Sequence, residues 1–134
     1  MSDTLVDSNV LLDMMTNDPT WSPWSSSAVE RCANQGELCI NPLIYAEVSI
    51  GYETIEELEA VLPKDSFRRL PLPLEAAFLA GKAFRRYRAS GGTRTSTLPD
   101  FFIGAHAAVA GLRILTRDAP RYRTYFPTVQ LIAP

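Results

Sequence analysis

The 134 residues, of which 46% are hydrophobic and 21% charged, suffice for one domain with its own core, so we expect a single domain over residues 1–134. No apolar run approaches the roughly 18 residues of a membrane span, and the N-terminus lacks the pattern of a secretory signal, so we expect a cytoplasmic protein that contacts no membrane. The net charge of −2 hides an asymmetry, because residues 1–75 carry 13 Asp/Glu and 4 Lys/Arg whereas residues 76–134 carry 2 and 9. This asymmetry indicates a polyanionic partner.

In the first half of the chain, short apolar runs alternate with helix signals. The predicted elements are, in order, a strand at TLVDS, helices over residues 8–16 and 22–35, a strand over 37–40, helices over 42–49 and 55–62, and a strand over 68–72. Ser22 and Asn41 each precede a proline and predict helix caps. Thr54 and Glu57 have the spacing of a capping box. These strands and helices alternate, as in α/β proteins.

The second half begins with the clearest helix, over residues 75–90. Its apolar residues recur at helical spacing and form one stripe: Ala76, Leu79, Ala80, Ala83, Phe84 and Tyr87. The basic residues of the other face and of the next loop are candidates for phosphate binding, or form a merely solvated surface: Arg85, Arg86, Arg88 and Arg94. After the loop we predict a helix over residues 97–111, a strand over 113–116, a short helix or turn over 118–122, and a strand at TVQLI.

Strands that alternate with helices predict a parallel sheet covered on both faces. Such sheets bind ligands at the carboxyl ends of the strands, where the strand order reverses. Asp7 ends the first strand, and Asp118 follows the fourth strand by two residues. If these strands are neighbours, the two carboxylates share that crevice.

Four acids stand in distinctive settings along the chain: LVDSN, YAEVSIG, LPDFFIGAHA and LTRDAPRY. Together, in this order, the motifs resemble those of PIN-domain ribonucleases, and in size and spacing a VapC-type toxin of a toxin–antitoxin pair. The resemblance implies a three-layer α/β/α sandwich around a mainly parallel five-stranded sheet. It also implies an endoribonuclease that depends on Mg²⁺ or Mn²⁺, with RNA as its substrate, an antitoxin protein as its partner, and a homodimeric state.

The resemblance also assigns roles to individual residues. The implied catalytic residues are Asp7, Glu47, Asp100 and Asp118. Asp7, Asp100 and Asp118 would bind the metal or position water, Glu47 would bind the metal through water or orient that water, and Asn9 and Thr116 would support them. Independently, carboxylates that share a site repel one another, and a hard divalent cation with oxygen ligands removes that conflict. Such an ion can also activate water for in-line attack on a phosphodiester.

Each acid also has a simpler interpretation. Asp7 could cap the helix that follows it, Asp100 could complete a capping box with Thr97, and Asp118 could be the cap before Pro120. Glu47 could be an exposed helix residue. Independent caps have no reason to recur at two strand ends that share a crevice, so we favour a common site.

Four further side chains are open to two interpretations. His106 lies six residues after Asp100, about 240° around a helix, and is expected to be packed or partner-facing rather than a general base. Trp21 and Trp24 are expected in the core, with stacking on a nucleobase as the alternative. Asp13 is expected at the surface, with support of the acidic site as the alternative.

Other functions have less support. A catalytically silent PIN module that binds RNA or a protein remains the main alternative, although such a module has no need of four acids. A phosphotransfer domain usually has a second acid two residues after its nucleophilic Asp, where this chain has Asn9. Glycine-rich phosphate loops and G-x-S-x-G are absent from the sequence.

Cys32 and Cys39 are expected to be buried thiols of a reducing compartment.

The resemblance to toxins also raises the question of where an antitoxin would bind. An acidic rim suits a basic amphipathic peptide: Glu53, Glu56, Glu57 and Glu59. It surrounds an apolar stripe of Ile55, Leu58 and Leu62, which could instead pack inward.

Overall fold

The structure is a computed structural model that describes residues 2–95 and 98–134. The elements in chain order are β1 (Thr4–Val6), α1 (Ser8–Met15), α2 (Ser22–Gln35), β2 (Leu38–Ile40), α3 (Pro42–Ser49), α4 (Ile55–Val61), β3 (Arg68–Arg69), α5 (Leu74–Ala89), α6 (Pro99–Ala110), β4 (Arg113–Leu115), α7 (Pro120–Tyr125) and β5 (Leu131–Ile132). In the described residues, no helix is long and apolar enough to cross a membrane.

The strands form one sheet in the order β3-β2-β1-β4-β5, and each of its four pairings is parallel. Crossovers between parallel strands are right-handed as a rule, so this strand order puts the helices before β3 on one face and those after it on the other. The arrangement agrees with the predicted three-layer sandwich. The strand order reverses between β1 and β4, where Val6 pairs with Leu115. The two strands that precede Asp7 and Asp118 are therefore neighbours, as the crevice hypothesis requires.

The three central strands, β2, β1 and β4, are largely buried, as expected of a covered parallel sheet. The apolar stripe of α5 is confirmed, with Ala76, Ala80 and Ala83 fully buried. Helix α6 packs closely because it carries small residues: a Cβ on Gly104 would lie 2.3 Å from the Phe126 ring. These contacts fix α6, and with it Asp100, against the rest of the fold.

Two of the three predicted helix caps are confirmed. The Asn41 side chain accepts a hydrogen bond from the Ile44 N–H at 3.0 Å, and the Thr54 hydroxyl accepts one from the Glu57 N–H at 3.2 Å. The prediction for Ser22 is wrong, because α2 already begins at that residue. The turn before α2 is held by the carboxylate of Asp18, which accepts from two backbone N–H groups.

The fold also tests the predictions for two further helix starts and for the two cysteines. Helix α7 begins at Pro120, so Asp118 is not its cap. Thr97 lies outside the described residues, and α6 begins at Pro99 without a side-chain cap. Cys32 and Cys39 are buried free thiols, as predicted, and burial raises the pKa of Cys39 to about 11.

Candidate active site

Asp7 lies at the junction of β1 and α1 and is 3% exposed. Its backbone N–H continues the sheet by donating to the Leu115 carbonyl at 2.9 Å. Its carboxylate caps α1 by accepting from the Ser8 N–H at 2.8 Å. The capping interpretation is thus correct, but it accounts for only one of the two carboxylate oxygens.

The second oxygen, Oδ2, accepts three hydrogen bonds, two of them from residues more than 100 positions away in the sequence. The Thr116 hydroxyl donates at 2.9 Å, the Tyr122 hydroxyl at 2.9 Å and the Asn9 amide at 3.3 Å. A further bond at 3.3 Å joins the Asn9 amide to the Thr116 hydroxyl. The two residues predicted to support the site, Asn9 and Thr116, therefore both contact Asp7.

Glu47 reaches the same region from α3. The Ser8 hydroxyl donates to its Oε1 at 3.1 Å, which joins α3 to the start of α1. The Glu47 side chain is half-buried, so it is not the freely exposed helix residue of the simpler interpretation.

Asp100 and Asp118 complete the arrangement from the other side of β1. Asp100 lies in the first turn of α6, and its Oδ2 is 3.3 Å from the Arg121 guanidinium. Asp118 is exposed, and its N–H donates to the Thr116 hydroxyl at 3.0 Å. Both acids line a cavity of about 340 Å³ at the carboxyl edge of the sheet.

We call these four carboxylates the acidic cluster: Asp7, Glu47, Asp100 and Asp118. Charges within the cluster contribute to raising the pKa values of three members, Asp7, Glu47 and Asp100. Burial raises the pKa of Asp7, hydrogen bonds from Thr116 and Tyr122 oppose the rise, and the charge of Asp118 adds to it. Burial raises the pKa of Glu47, with added repulsion from Asp7 and Asp100. Burial also raises the pKa of Asp100, with added repulsion from Asp7 and Asp118.

The donor chemistry of the acidic cluster fits a hard divalent cation, because its side-chain ligands are carboxylate oxygens. The described residues contain no group of three or more His, Cys, Asp or Glu side chains already arranged around a metal position. The carboxylates are instead held by protein donors, chiefly Arg121 at Asp100 and the three donors at Asp7. The fit therefore rests on chemistry and mutual repulsion rather than on a preformed cage.

Sequence reasoning missed Tyr122 and Arg121. Tyr122 is fully buried, and burial together with the charge of Asp7 raises its pKa well above the ordinary value. Both residues belong to RDAPRY, the motif that contains Asp118, and α7 turns them toward the acidic cluster. The available signal was their position in that motif, but their spacing from Asp118 gave no direction for the side chains.

The predicted surface position of Asp13 is wrong. Asp13 is 3% exposed and accepts from the Arg117 guanidinium at 2.6 and 2.9 Å and from the Ser25 hydroxyl at 2.7 Å. The Arg117 N–H donates to the Asn9 side-chain oxygen at 3.0 Å. This ion pair anchors the segment that carries Thr116, so the alternative role of Asp13 in supporting the site fits the structure.

Other predicted candidates lie outside the acidic cluster. His106 is buried, with its Nδ1 3.1 Å from the Asn41 amide, and burial lowers its pKa, so the packed interpretation is correct. Trp24 packs against the core, as expected, whereas Trp21 lies half-buried beneath the Arg117 guanidinium.

The four predicted RNA-binding arginines lie on the outer side of α5 and in the loop after it. Arg86 donates to the Tyr125 carbonyl at 3.0 Å, and Arg88 donates to the Arg94 carbonyl at 2.6 Å. Arg85 is exposed, as are the other three. Among the described residues, none of the four forms an ion pair with the acidic cluster.

The predicted antitoxin surface on α4 is smaller than expected. Leu58 and Leu62 are buried, so these two members of the stripe pack inward. Ile55 is 62% exposed and stays available, as does the nearby Ile50. Glu59 is engaged by Arg69 through two hydrogen bonds of 3.0 Å.

Comparison with known proteins gives one family and a set of similar folds. A family model described as the PIN domain matches residues 4–127. None of the curated proteins compared with the chain matches it significantly.

Among solved structures, VapBC2 from Rickettsia felis bound to a DNA fragment from its promoter is similar, with a TM-score of 0.76, 14% identity and 98% of each chain covered. VapBC-1 from nontypeable Haemophilus influenzae has a TM-score of 0.73 and 17% identity, over 98% of this chain and 97% of that one. FitAcB from Neisseria gonorrhoeae has a TM-score of 0.71 and 17% identity, over 96% of each chain. At these identities, the similarity shows a shared fold.

Proposed function

The chain belongs to the PIN domain family, and on that premise we propose that it is an Mg²⁺- or Mn²⁺-dependent endoribonuclease that acts as the toxin of a toxin–antitoxin pair. One observation supports the proposal: near the point where the strand order reverses, the pKa values of Asp7, Glu47 and Asp100 are each raised partly by the charge of other acids from separate parts of the sequence. Such repulsion opposes folding unless a ligand compensates it, and a divalent cation does so directly.

In this proposal Asp7, Asp100 and Asp118 would hold the ion, and Glu47 would contact it through water. A bound divalent ion would supply charge stabilisation and an activated water for in-line hydrolysis of the RNA phosphodiester. The protein itself fixes Asp7, because Thr116, Tyr122 and Asn9 donate to one oxygen and orient the carboxylate. Ser8 holds Glu47 in the same way. The Arg117–Asp13 pair keeps the segment that carries Thr116 and Asp118 in place.

The partner belongs to the proposal as well. The similar structures include VapBC assemblies, one of them bound to promoter DNA, and a complex described as toxin–antitoxin from Klebsiella pneumoniae. By analogy, we propose that an antitoxin protein binds this chain. A homodimer and a cytoplasmic location remain predictions.

Cleavage of RNA by the purified protein tests the activity. We expect Mn²⁺-dependent cleavage that Asp7→Asn and Asp100→Asn each reduce by more than the roughly 10–100-fold typical of losing a residue that merely supports a metal ligand. The exposed Asp65 offers a matched control, since Asp65→Asn removes one negative charge far from the acidic cluster. If wild-type protein with Mn²⁺ cleaves no RNA and calorimetry detects no Mn²⁺ binding, the silent PIN module becomes the better account.

A further inference from the structure

The cavity beside the acidic cluster has a chemistry of its own. Besides Asp100 and Asp118, it is lined by residues of α5 and α7: Tyr87, Pro120, Arg121, Thr124 and Tyr125. These contribute one guanidinium, two phenols and one hydroxyl. A cation next to aromatic faces is the combination that binds the phosphate and base of single-stranded nucleic acids.

Arg121 is held at the wall of this cavity by rings rather than by carbonyls. Its guanidinium carbon lies 5.7 Å from the centre of the Tyr87 ring and 5.8 Å from that of Phe101. Its side chain is 37% exposed, so the guanidinium reaches solvent. The rings hold the charge in place without occupying its N–H donors. Among the described residues, Asp100 is the one acceptor of a hydrogen bond from this guanidinium.

The ion pair with Asp100 is loose and replaceable. The N···O distance of 3.3 Å is longer than the 2.7–2.9 Å usual for a charge-assisted hydrogen bond. Within the described part of the chain, Asp100 is the one carboxylate at ion-pair distance from Arg121. Neutralisation of Asp100 therefore leaves Arg121 beside a cavity without its anionic partner.

We propose that Arg121 exchanges partners: it is the counter-ion of Asp100 in the metal-free protein and binds a phosphate of the RNA once the carboxylate is neutralised. The identity of the ligand rests on the proposed nuclease function. In this account Arg121, rather than the four arginines of α5 and the following loop, makes the phosphate contact nearest the acidic cluster. Repulsion between a divalent ion and the guanidinium favours the exchange, and the phosphate supplies the new anion.

Binding of RNA without metal tests the exchange, because Asp100→Asn neutralises the carboxylate and keeps its shape. The assay is fluorescence anisotropy of a labelled single-stranded RNA in EDTA over a series of KCl concentrations. We expect Asp100→Asn to tighten binding by about tenfold, the value of roughly one charge-assisted hydrogen bond. In the double variant Asp100→Asn/Arg121→Ala, most of that gain in affinity should disappear. The slope of the logarithm of the binding constant against the logarithm of the KCl concentration should also fall in magnitude by about 0.7, the value of one phosphate contact on a single strand.

Arg123 provides the matched control, since it is an exposed arginine on the same short helix that does not line the cavity. Arg123→Ala in the Asp100→Asn protein should preserve most of the gain, and Arg121→Lys should restore part of it. An equal gain with and without Arg121, or an equal loss on removal of Arg123, would overturn the proposal. These measurements need no cleavage, so they distinguish failure of the proposal from failure of the nuclease function.

A titration with Mn²⁺ in the absence of RNA tests Arg121→Ala in the opposite direction, because this variant should bind the metal more tightly although it binds RNA more weakly. Arg121→Ala removes the cation that competes for Asp100, so we expect tighter Mn²⁺ binding by calorimetry, with Arg123→Ala unchanged. A residue with a purely structural role would not strengthen metal binding while weakening RNA binding. Unchanged or weaker Mn²⁺ binding by Arg121→Ala would contradict the counter-ion role.

Discussion

Replacement of Tyr122 by Phe removes one buried hydroxyl from the acidic cluster and keeps the ring. The hydroxyl donates to Asp7 Oδ2 at 2.9 Å, in a position where the Tyr122 side chain is fully buried. Hydrogen bonds to charged groups contribute about 1.5–3 kcal/mol, and we expect the free energy of unfolding to fall by about that amount at a pH where Asp7 is ionised.

The loss should depend on pH, because the hydroxyl stabilises the ionised form of Asp7. Burial raises the pKa of Asp7, and the bond from Tyr122 opposes that rise. The cost of the substitution is therefore full above the raised pKa. As the pH falls through that pKa, it shrinks toward the roughly 0.5–1.5 kcal/mol of a neutral hydrogen bond.

Urea denaturation of the metal-free protein at a series of pH values from acid to mildly alkaline measures both values. Tyr45→Phe is the matched control, since its hydroxyl also donates to a carboxylate, Glu59, at 2.8 Å but away from the cluster. The reasoning is refuted if Tyr122→Phe costs no more than Tyr45→Phe at the alkaline end of the series, or if its cost does not change with pH.

Three further predictions concern stability. Asp13→Ala leaves Arg117 without its carboxylate partner and should lower the free energy of unfolding, measured by chemical denaturation, by about 2–3 kcal/mol. This is less than the roughly 3–5 kcal/mol for a fully buried ion pair, because the Arg117 side chain is 28% exposed. A decrease of less than about 0.5 kcal/mol would contradict the prediction. Gly104→Ala should lower the melting temperature, because the added Cβ would overpack against Phe126. Gly81→Ala should raise it, because this mid-helix position has open space for a Cβ and alanine favours the helix. Equal shifts in the two variants would argue against close packing of α6. Burial and mutual repulsion raise the pKa values of Asp7, Glu47 and Asp100, so ionisation of these acids should make the metal-free protein less stable as the pH rises through their raised pKa values. In melting experiments at several pH values, Mn²⁺ should therefore stabilise the protein more at neutral than at acid pH. Equal stabilisation at both would count against the acidic cluster.

The sequence was informative where local rules and sheet topology act together. Alternation of strands and helices predicted a parallel sheet, and the position of Asp7 and Asp118 after two of its strands predicted a shared crevice. Asn41 and Thr54 start helices because a short polar side chain satisfies a free N–H in the first turn, which is a local effect. Such features need no knowledge of the tertiary contacts.

The contacts that support the site depend on residues far apart in sequence. Asp13 resembles a surface residue until Arg117, 104 positions later, folds against it. Tyr122 reaches Asp7 across 115 positions, and only the path of α7 decides its direction. Leu58 likewise belongs to a stripe that suits either a partner or the core, and packing of α4 decides between them. Spacing along one helix cannot supply that information.

Anomalous scattering from crystals soaked in MnCl₂ tests the central claim most directly, because it locates the ion itself. We expect a manganese peak at the carboxyl edge of the sheet, with oxygen ligands from Asp7, Asp100 and Asp118, and no such peak in Asp7→Asn crystals. Manganese bound only elsewhere, or the same peak in the variant, would contradict the assignment of these carboxylates as the metal site.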